Sequence, residues 1–596
     1  MQSLGLVFLF LAMNVYAQKT ASTASEAQEF MNRAEAQLAD LNVKVNRATW
    51  VQENFITDDT EAMAADAIDE VAAVTSELVE QARRFEGLAL SPELARKFML
   101  LKLSLTAPAP KDAALRREMT EIGVSLSSDY GKGKYCRKNG ECLDITAIEK
   151  LMSSSRDPEE LKEVWAGWHA IAPPMRQRYS RFVDLSNQGA REIGFKDTGA
   201  LWRSGYDMTP EEFSADLERL WNQVKPLYLS LHTFVRWKLA EKYGPKLVPP
   251  DGPIPAHLLG NPWAQEWGNV YDLLGVQEDK GGGVNITELL KKKNLDAKGM
   301  VKYGEGFFTS MGFAPLPPTF WERSLFTKPA DRDVVCHASA WDIDSFDDLR
   351  VKMCIQVRDT DFVTIHHELG HNFYQRAYKD QPFLFKNGAN DGFHEAIGDA
   401  IALAITPEYL HKVGLLESVP QASNDIPELL KQALDRVAFL PFGLMIDQWR
   451  WKVFSGEIAP SDYNKSWWEL RLKYQGVAPP VARSEGDFDP GAKYHVAANV
   501  PYTRYFLAFI LEFQFYRALC RESGYKGPLH GCTFYGSKEA GAKFNKMLAM
   551  GQSKPWPDAL EALTGGRQID ASAILEYFAP LQKWLDAQNR GKRVGW

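Results

Sequence analysis

The residues His367-Glu368-Leu369-Gly370-His371 have the types and the spacing of a zinc-binding motif. On a helix the two histidines, four positions apart, share one face, so both imidazoles can bind a single Zn²⁺. A catalytic zinc site uses three protein ligands and leaves one position for water. Glu368, next to the first ligand, is placed to take a proton from that water. The motif therefore predicts metal-assisted hydrolysis.

The third ligand has to come from further along the chain, and residues 392–399 contain a candidate. Glu395 and Asp399 are four residues apart and would also share a helical face. Glu395 would complete a catalytic set of two histidines and one glutamate. Asp399 would accept a hydrogen bond from a ligating imidazole and fix its tautomer. A bare motif can arise by chance, but this second acidic pair favours a zinc peptidase.

Long stretches with apolar residues every three to four positions predict a mostly α-helical fold around these residues. Strand-like patterns at 333–341 and 349–358 predict a short antiparallel pair just before the zinc motif. A free edge of that pair could bind an extended peptide, and a hairpin that only covers core is the alternative. We expect one catalytic unit, residues 18–596, of two lobes that are not contiguous in sequence. The predicted helices cover 25–105, 113–125, 157–170, 176–192, 210–242, 425–455, 507–520 and 572–587.

Residues 1–17 resemble a signal peptide. The apolar run at 4–13 is too short to span a bilayer, and residues 15–17 resemble a cleavage site before Gln18. The segment has no Lys or Arg, so a buried N-terminal helix is the alternative. The net charge of −8 argues against a nucleic-acid partner. We expect a secreted monomer, or a periplasmic one in a bacterium, without a membrane anchor.

Six cysteines fall into three pairs of near neighbours in the sequence. An even number in a secreted chain favours disulfides, and six buried thiols are the alternative if the chain is not exported. Asn285 and Asn464 begin glycosylation sequons, which matter only in a eukaryote. The cysteines are Cys136, Cys142, Cys336, Cys354, Cys520 and Cys532.

With these residues assembled, the chain resembles the angiotensin-converting enzyme family of peptidyl-dipeptidases over nearly its whole length. The matching blocks include GPIPAHLLGNPWAQEW at 252–267, VVCHASAWD at 334–342, TIHHELGH at 364–371 and GFHEAIGD at 392–399. Further blocks lie at 467–485, 492–506 and 553–565. A single zinc motif matches the single-domain form of the family. The resemblance implies a two-lobed helical ellipsoid with a deep central channel. It also implies the disulfides Cys136–Cys142, Cys336–Cys354 and Cys520–Cys532.

The resemblance also implies a role for each matching site residue. One Zn²⁺ is held by two histidines and a glutamate, a base activates water, and two donors stabilise the oxyanion. A trio grips the C-terminal carboxylate of the substrate, and a strand pairs with its backbone. The zinc ligands are His367, His371 and Glu395, with Asp399 behind them, and the base is Glu368. The oxyanion donors are His495 and Tyr505. The carboxylate-binding trio is Gln265, Lys493 and Tyr502, and the residues of the pairing strand are His337 and Ala338.

Two positions depart from the family pattern, one just before the third predicted ligand and one at a predicted chloride site. Asp391 stands where the family commonly has Pro, which predicts a local change of the loop. One chloride site of the family matches Tyr206 and Arg504, so we expect chloride to activate through Arg504. The other site keeps two matching residues but has a neutral histidine in place of an arginine, which predicts a weak or absent site. The two kept residues are Trp467 and Arg471, and the histidine is His169.

The resemblance implies the release of dipeptides from oligopeptides with a free C-terminus. In the single-residue carboxypeptidase branch of the family an Arg stands at the position of Gln265. The shorter glutamine should leave space for two residues. A single-residue carboxypeptidase and a catalytically silent binding ectodomain are the alternatives.

Overall fold

The computed structural model describes residues 22–276, 284–420 and 424–596. The predicted signal peptide at 1–17 lies outside these residues, and the division into two lobes stays a prediction. Within the described ranges helices dominate and the strands are short, so the predicted mostly α-helical fold is confirmed. No helix in these ranges is both long enough and apolar enough to cross a bilayer.

The helices of the first half begin at residues that satisfy their free backbone N–H groups. Thr23 and Thr209 each form a capping box with the glutamate three positions later. Pro92 and Pro158 stand in the first turn of their helices, where no intrahelical N–H bond is lost. These helices are α1 (Ala24–Asn54), α2 (Asp58–Ala82), α3 (Pro92–Leu103), α4 (Ala113–Gly131), α5 (Ile145–Ser154), α6 (Pro158–His169), α7 (Arg176–Glu192), α8 (Thr198–Ser204) and α9 (Pro210–Tyr243).

The helices of the second half include those that surround the zinc motif. The single helix predicted at 572–587 is two helices, because Pro580 lacks the N–H that would continue the hydrogen-bond ladder. These helices are α10 (Ile286–Lys292), α11 (Ala297–Ser310), α12 (Pro318–Arg323), α13 (Asp359–Ala377), α14 (Phe393–Leu403), α15 (Pro407–Lys412), α16 (Ile426–Ser455), α17 (Tyr463–Leu470), α18 (Tyr494–Ala497), α19 (Thr503–Glu522), α20 (Lys538–Leu548), α21 (Trp556–Thr564), α22 (Ser572–Tyr577) and α23 (Ala579–Gln588).

The predicted antiparallel strand pair exists but is shorter than expected. Its strands pair from Ser339 opposite Lys352 to Asp342 opposite Leu349. The second strand ends there because the N–H of Met353 turns to a different segment, the carbonyl of Leu325. The strands are β1 (Lys134–Cys136) and β2 (Cys142–Asp144), antiparallel; β3 (Ile254–Pro255) and β6 (Val477–Ala478), parallel; and β4 (Ser339–Asp342) and β5 (Leu349–Lys352), antiparallel.

Four packed helices form the frame of the site. Helix α13 packs on α14, α14 on α19, and α19 on α16. Gly398 permits the close approach of α14 to α13, because a Cβ there would come within 2.7 Å of the His367 ring. The frame is thus set by the same residues that bring the predicted metal ligands together.

Candidate metal centre

The three predicted zinc ligands converge at the contact of α13 and α14. The Nε2 atoms of His367 and His371 lie 3.1 Å apart, and Glu395 Oε2 lies 3.6 Å from His367 Nε2. One ligand atom from each residue lies within 4.8 Å of the others. Tetrahedral Zn²⁺ with bonds of about 2.0–2.1 Å needs nitrogen atoms roughly 3.3 Å apart. The donor set and its spacing therefore fit Zn²⁺.

Asp399 stands behind the first ligand, as predicted. Its Oδ1 lies 3.0 Å from Nδ1 of His367, and Arg436 donates to the same carboxylate at 2.8 and 3.1 Å. Burial alone would raise the pKa of Asp399, but the charges of Arg436 and His367 outweigh it and the pKa is lowered. An ionised Asp399 accepts the Nδ1 proton and leaves Nε2 free to bind metal. Arg436 carries no motif and was missed by the sequence analysis.

His371 is oriented by a residue that the sequence analysis quoted without a role. Its Nδ1 lies 3.4 Å from Nδ1 of His394, whose Nε2 lies 3.3 Å from the Tyr378 hydroxyl. Burial lowers the pKa of His394 to about 4, so its ring is neutral and can accept the Nδ1 proton of His371. Both histidine ligands therefore have a partner that fixes the tautomer.

Glu368 is buried beside His367, on the helix that carries both histidines. Burial raises the pKa of Glu368 above its ordinary value, although the neighbouring His367 opposes the rise. A carboxylate with a raised pKa is a better proton acceptor near neutral pH. The position and the environment of Glu368 suit a general base.

The predicted carboxylate-binding trio lies in contact. Lys493 Nζ donates to Gln265 Oε1 at 2.6 Å and lies 5.5 Å from the ring centre of Tyr502. The Trp263 ring, which the sequence analysis missed, lies 4.1 Å from the same nitrogen. Burial lowers the pKa of Lys493 to about 7, with Glu266 opposing the shift. A substrate carboxylate would supply the counter-charge that this buried amine needs.

The two predicted oxyanion donors lie next to that trio. The ring centres of His495 and Tyr505 are 5.7 Å apart. The ring centre of Tyr502 lies 4.5 Å from that of His495 and 5.0 Å from that of Tyr505. Burial lowers the pKa of His495 to about 3 and raises that of Tyr505. His495 is therefore neutral and Tyr505 protonated near pH 7, so both can donate a hydrogen bond. The segment that joins α18 to α19 is anchored by Arg450, which donates to the carbonyls of His495 and Val500 at 2.8 and 2.6 Å.

His337 and Ala338 precede strand β4 and do not belong to its ladder. Lys352 holds this segment, because its Nζ donates to the carbonyls of Val335 and His337 at 2.7 and 2.8 Å. In the part of the chain that the structure describes, β4 pairs with β5 on one side alone. Its other edge offers backbone groups to an extended peptide.

Comparison with known proteins decides the family. A family profile described as "Angiotensin-converting enzyme" matches residues 21–596. The chain belongs to the angiotensin-converting enzyme family. The Rattus norvegicus angiotensin-converting enzyme is 44% identical over 565 residues, covering 92% of this chain and 42% of that protein. The Theromyzon tessulatum angiotensin-converting enzyme is 41% identical over 573 residues, covering 94% of this chain and 92% of that protein. The chain thus spans less than half of the rat relative and nearly all of the Theromyzon one.

The covalent features expected from the family are present. The three disulfides join Cys136 to Cys142, Cys336 to Cys354 and Cys520 to Cys532. The second bridge ties the segment before β4 to the segment after β5. The sequon residue Asn285 is exposed, whereas Asn464 is buried and donates to the Ser484 carbonyl at 3.0 Å.

The residues predicted to form two chloride sites have different surroundings. Tyr206 donates to Asp391 Oδ2 at 3.1 Å, and Arg504 Nε lies 3.1 Å from the same oxygen. Trp467 Nε1 and Arg471 Nε are buried without a hydrogen-bond partner.

His169, the departing residue of the second site, is buried. Its Nδ1 lies 2.8 Å from the Trp165 carbonyl, and burial lowers its pKa to about 4. Near neutral pH the ring adds no charge to that site.

Proposed function

We propose that this protein is a zinc-dependent peptidyl-dipeptidase that releases dipeptides from the free C-terminus of oligopeptides. The observation that carries the proposal is the convergence of His367, His371 and Glu395 beside Glu368. Membership of the angiotensin-converting enzyme family supports the same activity. One Zn²⁺ would bind the three ligands and, when bound, would polarise the scissile carbonyl and acidify a water.

The residues around the ligands would then transfer the proton, stabilise the oxyanion and hold the substrate. Glu368 takes a proton from the attacking water and passes it to the leaving amine. Tyr505 and His495 donate to the carbonyl oxygen as negative charge develops on it. The free edge of β4 and the segment at His337 and Ala338 hold the substrate backbone extended. Each role is a proposal that rests on the matching positions and their contacts.

The proposal of dipeptide release rests on Gln265. The carboxylate of the substrate would bind Lys493, Gln265 and Tyr502, and the distance from this trio to the ligands sets how many residues leave. An Arg at the position of Gln265 would fill the outer end of the pocket, as in the single-residue branch. A glutamine there favours two residues over one.

The proposal also includes export of the protein from the cytoplasm. Three disulfides favour an oxidising compartment, and the sequence of residues 1–17 favours a cleaved leader. We propose a secreted or periplasmic monomer that acts on oligopeptides and is activated by an anion. Chloride as that anion suits Trp467 Nε1 and Arg471 Nε, which are buried without a hydrogen-bond partner, at a site that the neutral His169 makes weaker.

Glu368→Gln tests the base. The variant should keep one zinc per chain, because no ligand changes, and lose about 10²-fold or more of the turnover. Zinc content by plasma emission spectrometry and kcat on a blocked tripeptide are the two readouts. Glu428→Gln, the same substitution on an exposed face of α16, is the matched control and should be unchanged. Wild-type turnover in Glu368→Gln would contradict the assignment, and a zinc-free wild type would support the silent ectodomain.

A further inference from the structure

The carboxylate of Asp391 lies beside the two residues that were predicted to bind chloride, Tyr206 and Arg504. We propose that Asp391 is a positioning residue that supplies, from within the chain, the negative charge that the family takes from chloride at this place. Arg504, and through it Tyr505, would then be held without a dissolved anion at this position. The inference rests on the proposed function and replaces the expectation that chloride acts through Arg504.

One carboxylate oxygen of Asp391 lies between a hydroxyl donor and a cation. One oxygen, Oδ2, accepts the Tyr206 hydroxyl at 3.1 Å and lies 3.1 Å from Arg504 Nε. The N–H of Arg504 is not directed at this oxygen, so the contact is an ion pair rather than a directed hydrogen bond. The hydroxyl of Tyr206 and the guanidinium of Arg504 therefore both lie against one atom, as they would lie against one halide ion.

Both partners of the carboxylate are held by the surrounding fold. The Tyr206 ring stacks on Phe213 with centres 4.0 Å apart, and its carbonyl accepts from Trp556 Nε1 at 2.7 Å. Arg504 stands in the first turn of α19, where Asp447 accepts the N–H of Thr503 at 2.8 Å. The donors are consequently in place whether or not an ion is present.

Asp391 itself is held against α19 by the residue that follows it. A Cβ at Gly392 would come within 3.1 Å of the Arg504 carbonyl, so glycine permits the close contact. This contact brings the start of α14 to the first turn of α19. The Asp391 carboxylate is therefore presented to Arg504 by the backbone.

The surrounding charges disfavour an additional anion at this position. Glu395 and Asp447 add negative charge near Asp391, and Arg504 is the nearest positive one. A chloride at Oδ2 would need to displace the carboxylate from both donors. The side chain of Asp391 is 35% exposed and faces a cavity of about 750 Å³ that also reaches Arg504 and Glu395. Ions can therefore reach the site, so occupancy is decided by charge rather than by access.

Arg504 connects this ion pair to the chemistry because Tyr505 follows it in the first turn of α19. Losing the ion pair should shift the phenol hydroxyl away from the developing oxyanion. We expect kcat to fall about tenfold while KM stays nearly constant, since the carboxylate-binding trio is untouched. A purely structural role would instead lower the melting temperature without a response to halides.

Bromide, located by its anomalous scattering in crystals, tests the inference without any need for activity. In the wild type we expect no bromide within contact of Tyr206 and Arg504. In Asp391→Ala, where the carboxylate is gone, we expect one bromide between them. Bromide at this position in the wild type, or none in Asp391→Ala, would overturn the inference.

Kinetics add a second, independent arm. Asp391→Ala should lose about tenfold in kcat in sodium acetate and recover most of it in sodium chloride. The double variant with Arg504→Gln should show only the rise with chloride that the wild type itself shows, and Asp391→Asn should recover less than Asp391→Ala because the amide fills the space. Asp380→Ala, an exposed carboxylate after α13, is the control. Wild-type kcat in acetate for Asp391→Ala would refute the inference. If neither the wild type nor any variant cleaves peptides, the proposed function is refuted. The bromide result would still decide whether Asp391 takes the place of an anion.

Discussion

Arg504 and Arg471 were both predicted to bind chloride, but the charge of each is balanced differently. Arg504 has the carboxylate of Asp391 at 3.1 Å. Arg471 is buried, donates to the Trp263 carbonyl at 2.6 Å and has an Nε without a partner. Asp489, whose charge acts on Arg471, already accepts from Trp468 at 2.6 Å and from Arg483 at 2.9 Å.

The difference shows two ways to neutralise a cation within the fold. A carboxylate that belongs to the chain is present at every salt concentration and loses little freedom when it pairs. A dissolved ion has to be bound, so its effect follows concentration. Burial lowers the pKa of Arg471 to about 9, and the guanidinium therefore stays charged near pH 7 and keeps its need for an anion. We expect any response to chloride to come from the Arg471 region.

Matched substitutions at the two arginines give the largest effects. Arg471→Gln should remove the rise of kcat with chloride, which we expect to be about fivefold in the wild type. Arg504→Gln should keep that fractional rise but lower kcat about tenfold at every chloride concentration, because the ion pair with Asp391 is lost. Rates in chloride and in acetate of equal ionic strength are the measurement. A chloride response that survives Arg471→Gln and disappears in Arg504→Gln would reverse the comparison.

Lys493 extends the comparison to a cation whose partner is the substrate itself. Its pKa is about 7 because burial disfavours the charge, although Glu266 and Glu149 oppose the shift. Since the group is an amine, it is charged below that pH and neutral above it. KM for a peptide with a free C-terminus should therefore rise about tenfold per pH unit well above pH 7.

The control is the same peptide with a C-terminal amide. Its KM should be high and nearly constant with pH, because it has no charge for Lys493 to meet. Equal pH profiles for the two peptides would show that Lys493 does not bind the C-terminal carboxylate.

The sequence was sufficient for the parts of the site that depend on local spacing. The histidines of α13 and the acidic pair Glu395 and Asp399 are each four residues apart, so a helix places them. The disulfide pairs follow from the family resemblance, and the structure confirms them. Local patterns and family blocks thus identified the candidate ligands and the disulfides.

Contacts between distant segments could not be predicted in this way. Arg436 reaches Asp399 across the packing of separate helices, and no pattern near it indicates that role. His394 lies inside a quoted block, but its contact with His371 depends on how α13 and α14 meet. Asp391 indicated only a change of loop, because its contact with Tyr206 depends on how the start of α14 meets the segment after α8.

The ends of the strands and one sequon also depend on contacts that local sequence patterns do not predict. Residues 333–338 have strand-like types, yet Lys352 satisfies two of their carbonyls and replaces a regular ladder. Asn464 begins a sequon, but its buried side chain is hydrogen-bonded within the fold. Residue type predicted a tendency in both cases, and tertiary packing determined the outcome.

Mass spectrometry of the first products from an unmodified oligopeptide tests the central proposal most directly. The peptide should have a free C-terminus and no proline in its last three positions, and samples should be taken before a tenth of it is consumed. The proposal predicts that the C-terminal dipeptide and the chain shortened by two residues appear together and in equal amounts. Both products should be absent with Glu368→Gln. Single amino acids as the first product would contradict dipeptide release and establish the carboxypeptidase alternative.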